Sequence, residues 1–111
     1  MDFKVIFKDS FSEDLERILR KIAVDNPIAA RNLGQLIIQM TESLNFFPER
    51  HPKVRQRLGI RRFIVKKYYK VFYRVQFESR TVEVLRCWDA VGGLGHPINE
   101  AALKEALAEF P

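Results

Sequence analysis

Between Arg50 and Phe77 the chain places ten Lys and Arg residues and no Asp or Glu. The remainder carries nine bases against fourteen acids, so a cationic block sits in a body of net charge −5 while the whole chain is +5. Such a block suits a polyanion: nucleic acid, an anionic surface or an acidic protein segment. Its bland alternative is a solvated face that only keeps the protein dissolved. Lys53, Arg55, Arg57, Lys66, Lys70 and Arg74 are the candidates for the cationic surface. Aromatic residues interleave with them, and aromatic rings beside cations can stack on nucleobases. Tyr68 and Tyr69, beside an expected turn, are the contact candidates, whereas Tyr73 and Phe77 read as strand residues that fill a core. Arg61 and Arg62 are open between two roles: ligand contact, or an ion pair with a helix acid that ties sheet to helices.

Other chemistries are sparsely supplied. No Cys/His cluster has metal-ligand spacing, and Gly92-Gly93-Leu94-Gly95 is not followed by Lys-Ser/Thr as a phosphate loop requires. No metal and no cofactor are expected. His51 and His96 read as loop histidines, and Cys87 as a small buried hydrophobe. No apolar run reaches the ~20 residues of a membrane span. The N-terminus lacks the apolar stretch of a secretory signal, and a lone cysteine fits a reducing compartment, so the expectation is a cytoplasmic protein without membrane contact.

The elements that must position these residues follow from periodicity. Phe3, Val5 and Phe7 alternate with polar residues as a short strand. Ser10 to Glu13 matches a capping box, and Phe11, Leu15, Ile18, Leu19 and Ile22 follow at helical spacing. Asn26-Pro27 caps and opens a second helix with Ala29, Leu33, Leu36, Ile37, Met40 and Leu44 on one face. So short a connection predicts an antiparallel helical hairpin. A proline-bearing loop runs on to about Gly59. Three strands are then expected, Arg61–Lys66, Lys70–Phe77 and Thr81–Trp88, with turns at Lys67–Tyr69 and Glu78–Arg80. On the last strand, Val82, Val84 and Arg86 are expected opposite to Glu83, Leu85 and Cys87. Residues 99–109 suit a final helix with a thin stripe of Leu103, Ala106, Leu107 and Phe110, docked on the body or on another chain. The order β-α-α-β-β-β-α predicts an α+β fold: an N-terminal strand and helical hairpin packed on a small, mostly antiparallel sheet, with a short C-terminal helix. One domain spans 1–111, its core ending near residue 90. The sheet face away from the hairpin is expected to be bare and basic.

Several stretches together resemble the RelE/ParE superfamily of bacterial toxins from type II toxin–antitoxin pairs, often called plasmid-stabilisation proteins. They are the Asp14-Leu15-Glu16-Arg17-Ile18 step, the Asn26-Pro27-Ile28-Ala29-Ala30 turn, the Leu44 to Pro48 exit, the central "IRRFIVKKYYKVFYRV" hairpin and the "VEVLRCWDA" strand. The resemblance covers residues 3 to about 90. It implies a growth inhibitor silenced by a cognate antitoxin that wraps it. It also implies one of two acts: binding DNA gyrase, as ParE-like members do, or cutting mRNA on the ribosome, as RelE-like members do. For the nuclease, Lys70 stands where such members often place an arginine, and Arg61 or Arg62 where they place a lysine. Asp89, Val91 and Gly92 stand where a histidine and arginines are usual, and this departure favours the gyrase reading. A third reading is a catalytically inactive basic binding module. An open edge strand also allows a homodimer.

Overall fold

The computed structural model describes residues 2–89 and 100–111; Val91, Gly92 and His96 lie outside the described residues. Strand β1 (Lys4–Phe7) leads into helix α1 (Asp9–Asp25), which turns at Asn26 into helix α2 (Pro27–Glu42). Short 3-10 turns at Ser43–Asn45 and Pro48–Arg50 precede β2 (Ile60–Val65), β3 (Tyr69–Gln76) and β4 (Thr81–Asp89), and α3 (Glu100–Ala108) ends the fold. The sheet order is β1-β4-β3-β2, with β1 parallel to β4 and the other pairs antiparallel. The expected α+β class and element order hold.

Alternation builds the two faces. Phe63, Val65, Val71, Tyr73, Val82 and Val84 point into the hairpin and pack with Phe11, Leu15, Ile18, Leu33 and Ile37. Asn26 caps α2 as expected, its side chain accepting from the Ala29 backbone N–H at 3.0 Å. At Gly34 the helices pack closely: a Cβ there would lie 2.8 Å from a Leu19 methyl.

The expected capping box does not form. Helix α1 begins two residues earlier, with Lys8 as its cap and no side-chain cap bond. Ser10 lies inside the first turn and donates its hydroxyl to the Leu85 carbonyl at 2.7 Å. The hydroxyl that a cap would turn toward the helix's own backbone N–H groups is instead engaged by a strand carbonyl.

The strands begin or end a residue from the expected bounds, and the turn after β2 is Lys66–Tyr68. A larger departure is a register slip: Phe72 pairs with Arg86 while Tyr73 pairs with Val84, leaving Leu85 as the extra residue. Such a bulge reverses the alternation beyond it. Cys87 therefore joins Val82 and Val84 on the hairpin face, against expectation, while Leu85 turns to the other face. Phe77 is also corrected. It lies past the end of β3, 57 % exposed, edge-on to Phe3.

The outer face is not bare. Leu103, Leu107 and Phe110 of the α3 segment close a second core with Ile60, Phe72 and Leu85. The thin apolar stripe of the last helix thus finds its partner on its own sheet.

Candidate anion-binding site

The cationic block is sorted by strand geometry before any ligand is considered. Adjacent residues of a strand face opposite ways, so Arg61 and Arg62 part company. Arg61 lies on the hairpin side and donates to the Glu49 carbonyl at 3.0 Å and the His51 carbonyl at 2.8 Å. It locks the loop to the sheet through carbonyls, which is neither the ligand contact nor the helix-acid pair left open by the sequence. Arg62 pairs with Phe72 and faces outward, as does Ile64, whose partner is Lys70.

The segment before β2 folds back along this edge. The Val54 N–H donates to the Ile60 carbonyl at 2.8 Å, the Arg62 N–H to the Pro52 carbonyl at 3.1 Å, and Lys53 bridges to Arg61. Gly59, at φ 84°, allows the reversal. The result is a pocket of about 210 Å³ walled by Lys53, Arg55, Arg62 and Lys70, with Gln56 on its rim and Phe72 and Leu103 among its apolar surfaces. No carboxylate lines it among the described residues. Convergent cations over an apolar floor, in reduced dielectric, attract a phosphate or carboxylate more strongly than the same charges spread over a surface.

The structure brings together Lys53, Arg55, Arg62 and Lys70 and diverts the others. Arg57 donates to the Phe110 carbonyl. Arg74 pairs with Glu83 at 2.6 Å and donates to the Pro111 carbonyl. Both were expected on an open cationic surface; both instead fasten the C-terminal segment. Burial pushes the Glu83 carboxyl up, but hydrogen bonds from Arg74, Gln76 and Lys8 outweigh it and hold the group at about 2. Lys66 and Tyr68 sit at the β2–β3 turn, with Tyr68 45 % exposed.

His51 is turned away from the pocket. Its ring packs on Phe63 at 5.2 Å and against Tyr73, and burial together with the nearby Arg50 charge lowers its pKa. Asp89 stands opposite Tyr69 at the end of the β3–β4 pair. Among the described residues no group of three or more His, Cys, Asp or Glu is placed to hold a metal ion.

Two features escaped the sequence reading. Asp14, 2 % exposed, accepts from Arg86 Nε at 2.6 Å and Nη2 at 2.9 Å, and from the Cys87 N–H at 3.0 Å. It thereby satisfies the part of β4 that β1 no longer covers. The signal was present: an acid on the apolar stripe of α1 between Phe11 and Ile18 must have a donor. Arg50 clamps the loop before the pocket, donating to the Phe46 carbonyl at 2.6 Å and the Ser43 hydroxyl at 2.7 Å. Nothing in the local sequence marks that role.

A second concavity lies on the opposite side. Phe7, Phe11, Leu15, Leu19, Ala30 and Ile38 line an apolar groove of about 640 Å³ with Arg20 and Arg31 at its margins.

Residues 5–90 match the family described as the ParE toxin of the type II toxin–antitoxin system parDE. No curated protein sequence matches. Solved structures share the fold. A chain of the chromosomal ParDE toxin–antitoxin system of P. aeruginosa superposes with a TM-score of 0.69 at 17 % identity, covering 78 % of this chain and 95 % of that one. A chain of the RelBE2 toxin–antitoxin complex of Mycobacterium tuberculosis gives 0.60 at 21 %, covering 80 % and 92 %. A free-state arginine double mutant of the E. coli toxin RelE gives 0.65 at 15 %, covering 100 % of both chains.

Proposed function

From the premise that the chain belongs to the ParE toxin family, and so is the toxin of a type II toxin–antitoxin system, we propose that it is a binding toxin that arrests growth by acting on DNA gyrase. The observation that carries this reading is the composition of the pocket. RNA cleavage through the ribose 2′-OH needs a group to take the hydroxyl proton and another to protonate the leaving oxygen. The described walls of the pocket offer four cations and an amide but no carboxylate or imidazole, and His51 is packed on the other face of the sheet. This is equipment for holding an anion rather than for moving protons around one.

A RelE-like ribosome-dependent mRNA endonuclease is the second reading, favoured by one observation. Arg62 and Lys70 converge in the pocket with Lys53 and Arg55, and such a cluster stabilises phosphorane charge. The hairpin groove suits the cognate antitoxin: an amphipathic helix would bury apolar side chains there and could set an acid against Arg31, while Arg20 is already paired with Glu16 on the groove wall.

Inducing the chain alone in bacteria separates these readings. Growth arrest with filamentation, DNA-damage signalling and trapped gyrase–DNA complexes is the expected outcome. Arrest with mapped cuts in translated mRNA overturns it in favour of the nuclease. No arrest from well-expressed protein removes both and leaves an inactive binding module. Co-expression of a cognate antitoxin is expected to restore growth.

A further inference from the structure

Three phenylalanine rings stand out at the end of the molecule where β1 begins and β3 ends. Phe46, Phe47 and Phe77 are 56 %, 61 % and 57 % exposed. Phe46 and Phe47 meet nearly at right angles, 5.3 Å between centroids, and with Ser43, Asn45 and Arg50 they line a groove of about 710 Å³. Phe77 adjoins that groove through Phe3. The Phe77 ring is edge-on to Phe3, and the Phe3 N–H donates to the Asn45 carbonyl at 2.7 Å. The patch is therefore continuous: a projecting ring beside a slot made by two others.

The slot is held in shape. Phe47 has φ 51°, a left-handed conformation that a bulky residue rarely takes. Arg50 fixes it there, donating to the carbonyls of Ser43, Phe46 and Phe47. Strain of this kind persists only where the surroundings over-determine it. The rings are thus preorganised, and a docking partner has little freedom left to remove.

Charge decides which occupant suits the patch. Glu49 and Arg50 follow the ring pair in the chain, and Glu78 and Arg80 follow Phe77, one of each sign in both places. Nothing here draws a polyanion or an acidic helix, which the outer face attracts more strongly. A second copy brings the same balanced charges and forces no like pair together. Two-fold symmetry makes the patch self-complementary, because a ring and a slot on one copy meet a slot and a ring on the other. The area agrees. At about 200 Å² per ring, the exposed parts of the three come to about 350 Å² a copy. Each side of a standard homodimer interface gives roughly 500 Å² of apolar surface.

We propose that this aromatic end is the contact surface of a two-fold homodimer, with Phe77 of each copy seated between Phe46 and Phe47 of the other. Among the described residues, none lines both this groove and the apolar groove on the hairpin. The dimer therefore leaves the hairpin groove open. The inference holds whichever target the toxin acts on.

The test is sedimentation velocity of the full chain from about 1 to 200 μM, a range that covers the weak end for interfaces of this size. The mean mass rises from 13.0 kDa toward twice that value and stops there. Phe77→Ala removes the projecting ring, and Phe47→Asn opens the slot. Asparagine accepts the left-handed conformation, so the second variant keeps the fold. Each weakens association at least about tenfold, as the loss of a central aromatic anchor does. Ile28→Ala, an exposed apolar truncation at the other end of α2, changes nothing. A mass that stays at 13.0 kDa at the highest concentration overturns the dimer. So does association that survives both ring variants, or growth into larger species with no plateau at the dimer. A monomer whose complex with the cognate antitoxin is lost in both variants also overturns it and assigns the rings to the antitoxin. No growth assay enters, so failure of the dimer and failure of the toxin reading are told apart.

Discussion

The hairpin face and the outer face of the sheet are made by alternate residues of the same strands, and they differ in what completes them. Two helices close the hairpin face with a continuous apolar core, whose polar groups are settled by Asp14 and Arg61. One short helix closes half of the outer face, and arginines fasten its end. The other half is left as a pocket of cations. A sheet can thus keep its main core on one side and a cationic pocket on the other, because side chains one residue apart share backbone but not environment.

The sharpest way to break this comparison is to cut a large side chain from each face. Phe11→Ala should cost about 3–5 kcal/mol in urea unfolding, as deep aromatic truncations do. Leu107→Ala should cost about 2 kcal/mol, the low end for a buried leucine, with amide exchange rising first in α3. Equal global losses from both would show a single cooperative core.

Removing the buried carboxylate comes next. Asp14→Ala leaves Arg86 and the Cys87 N–H without their acceptor and should cost about 3 kcal/mol. Asp14→Asn, which keeps an acceptor oxygen, should cost less in the same denaturation experiment.

The two faces should also fail at opposite ends of the pH scale. On the hairpin face, burial pushes Tyr73 and Cys87 up to about 12. The folded state keeps these protons after the unfolded chain has lost them, so stability falls as pH rises from about 9 to 12. On the outer face, Glu83 is held at about 2. The folded state resists its protonation, so the stability it contributes is present above the ordinary carboxylate range and lost as pH falls through about 4.5 toward 2. Melting curves of Tyr73→Phe should flatten the alkaline limb, and those of Glu83→Gln the acid limb. Tyr73→Phe also loses the hydroxyl bond to the Pro48 carbonyl at 2.5 Å, costing about 1 kcal/mol at neutral pH.

The smallest effect on stability should accompany the largest on function. Lys53→Ala and Lys70→Ala sit in the open pocket and should shift stability by no more than about 0.5 kcal/mol. Growth arrest on induction should nevertheless weaken or vanish in both. Full arrest in the paired variant would place the recognition surface elsewhere.

The element order was legible because long periodic stretches speak clearly. The α1 stripe, the Asn26-Pro27 turn and the β2–β3 hairpin all hold in space. The candidate site was legible as a population of cations and not as an arrangement. Lys53, Arg55, Arg62 and Lys70 meet in it, while Arg57 and Arg74 serve the C-terminal segment and Arg61 the loop. Ser10 had the pattern of a cap, yet a strand carbonyl lay nearer. Leu85 and Cys87 had the spacing of one face, and the bulge at Leu85 separated them.

By itself the sequence determined the hairpin, the strands and the sign of the charge, since each depends on residues within a few positions of one another. Tertiary structure alone decided which cations remain available. Arg57 and Arg74 are spent on the Phe110 and Pro111 carbonyls, 53 and 37 residues away, and those distances close only when α3 lies down on the sheet.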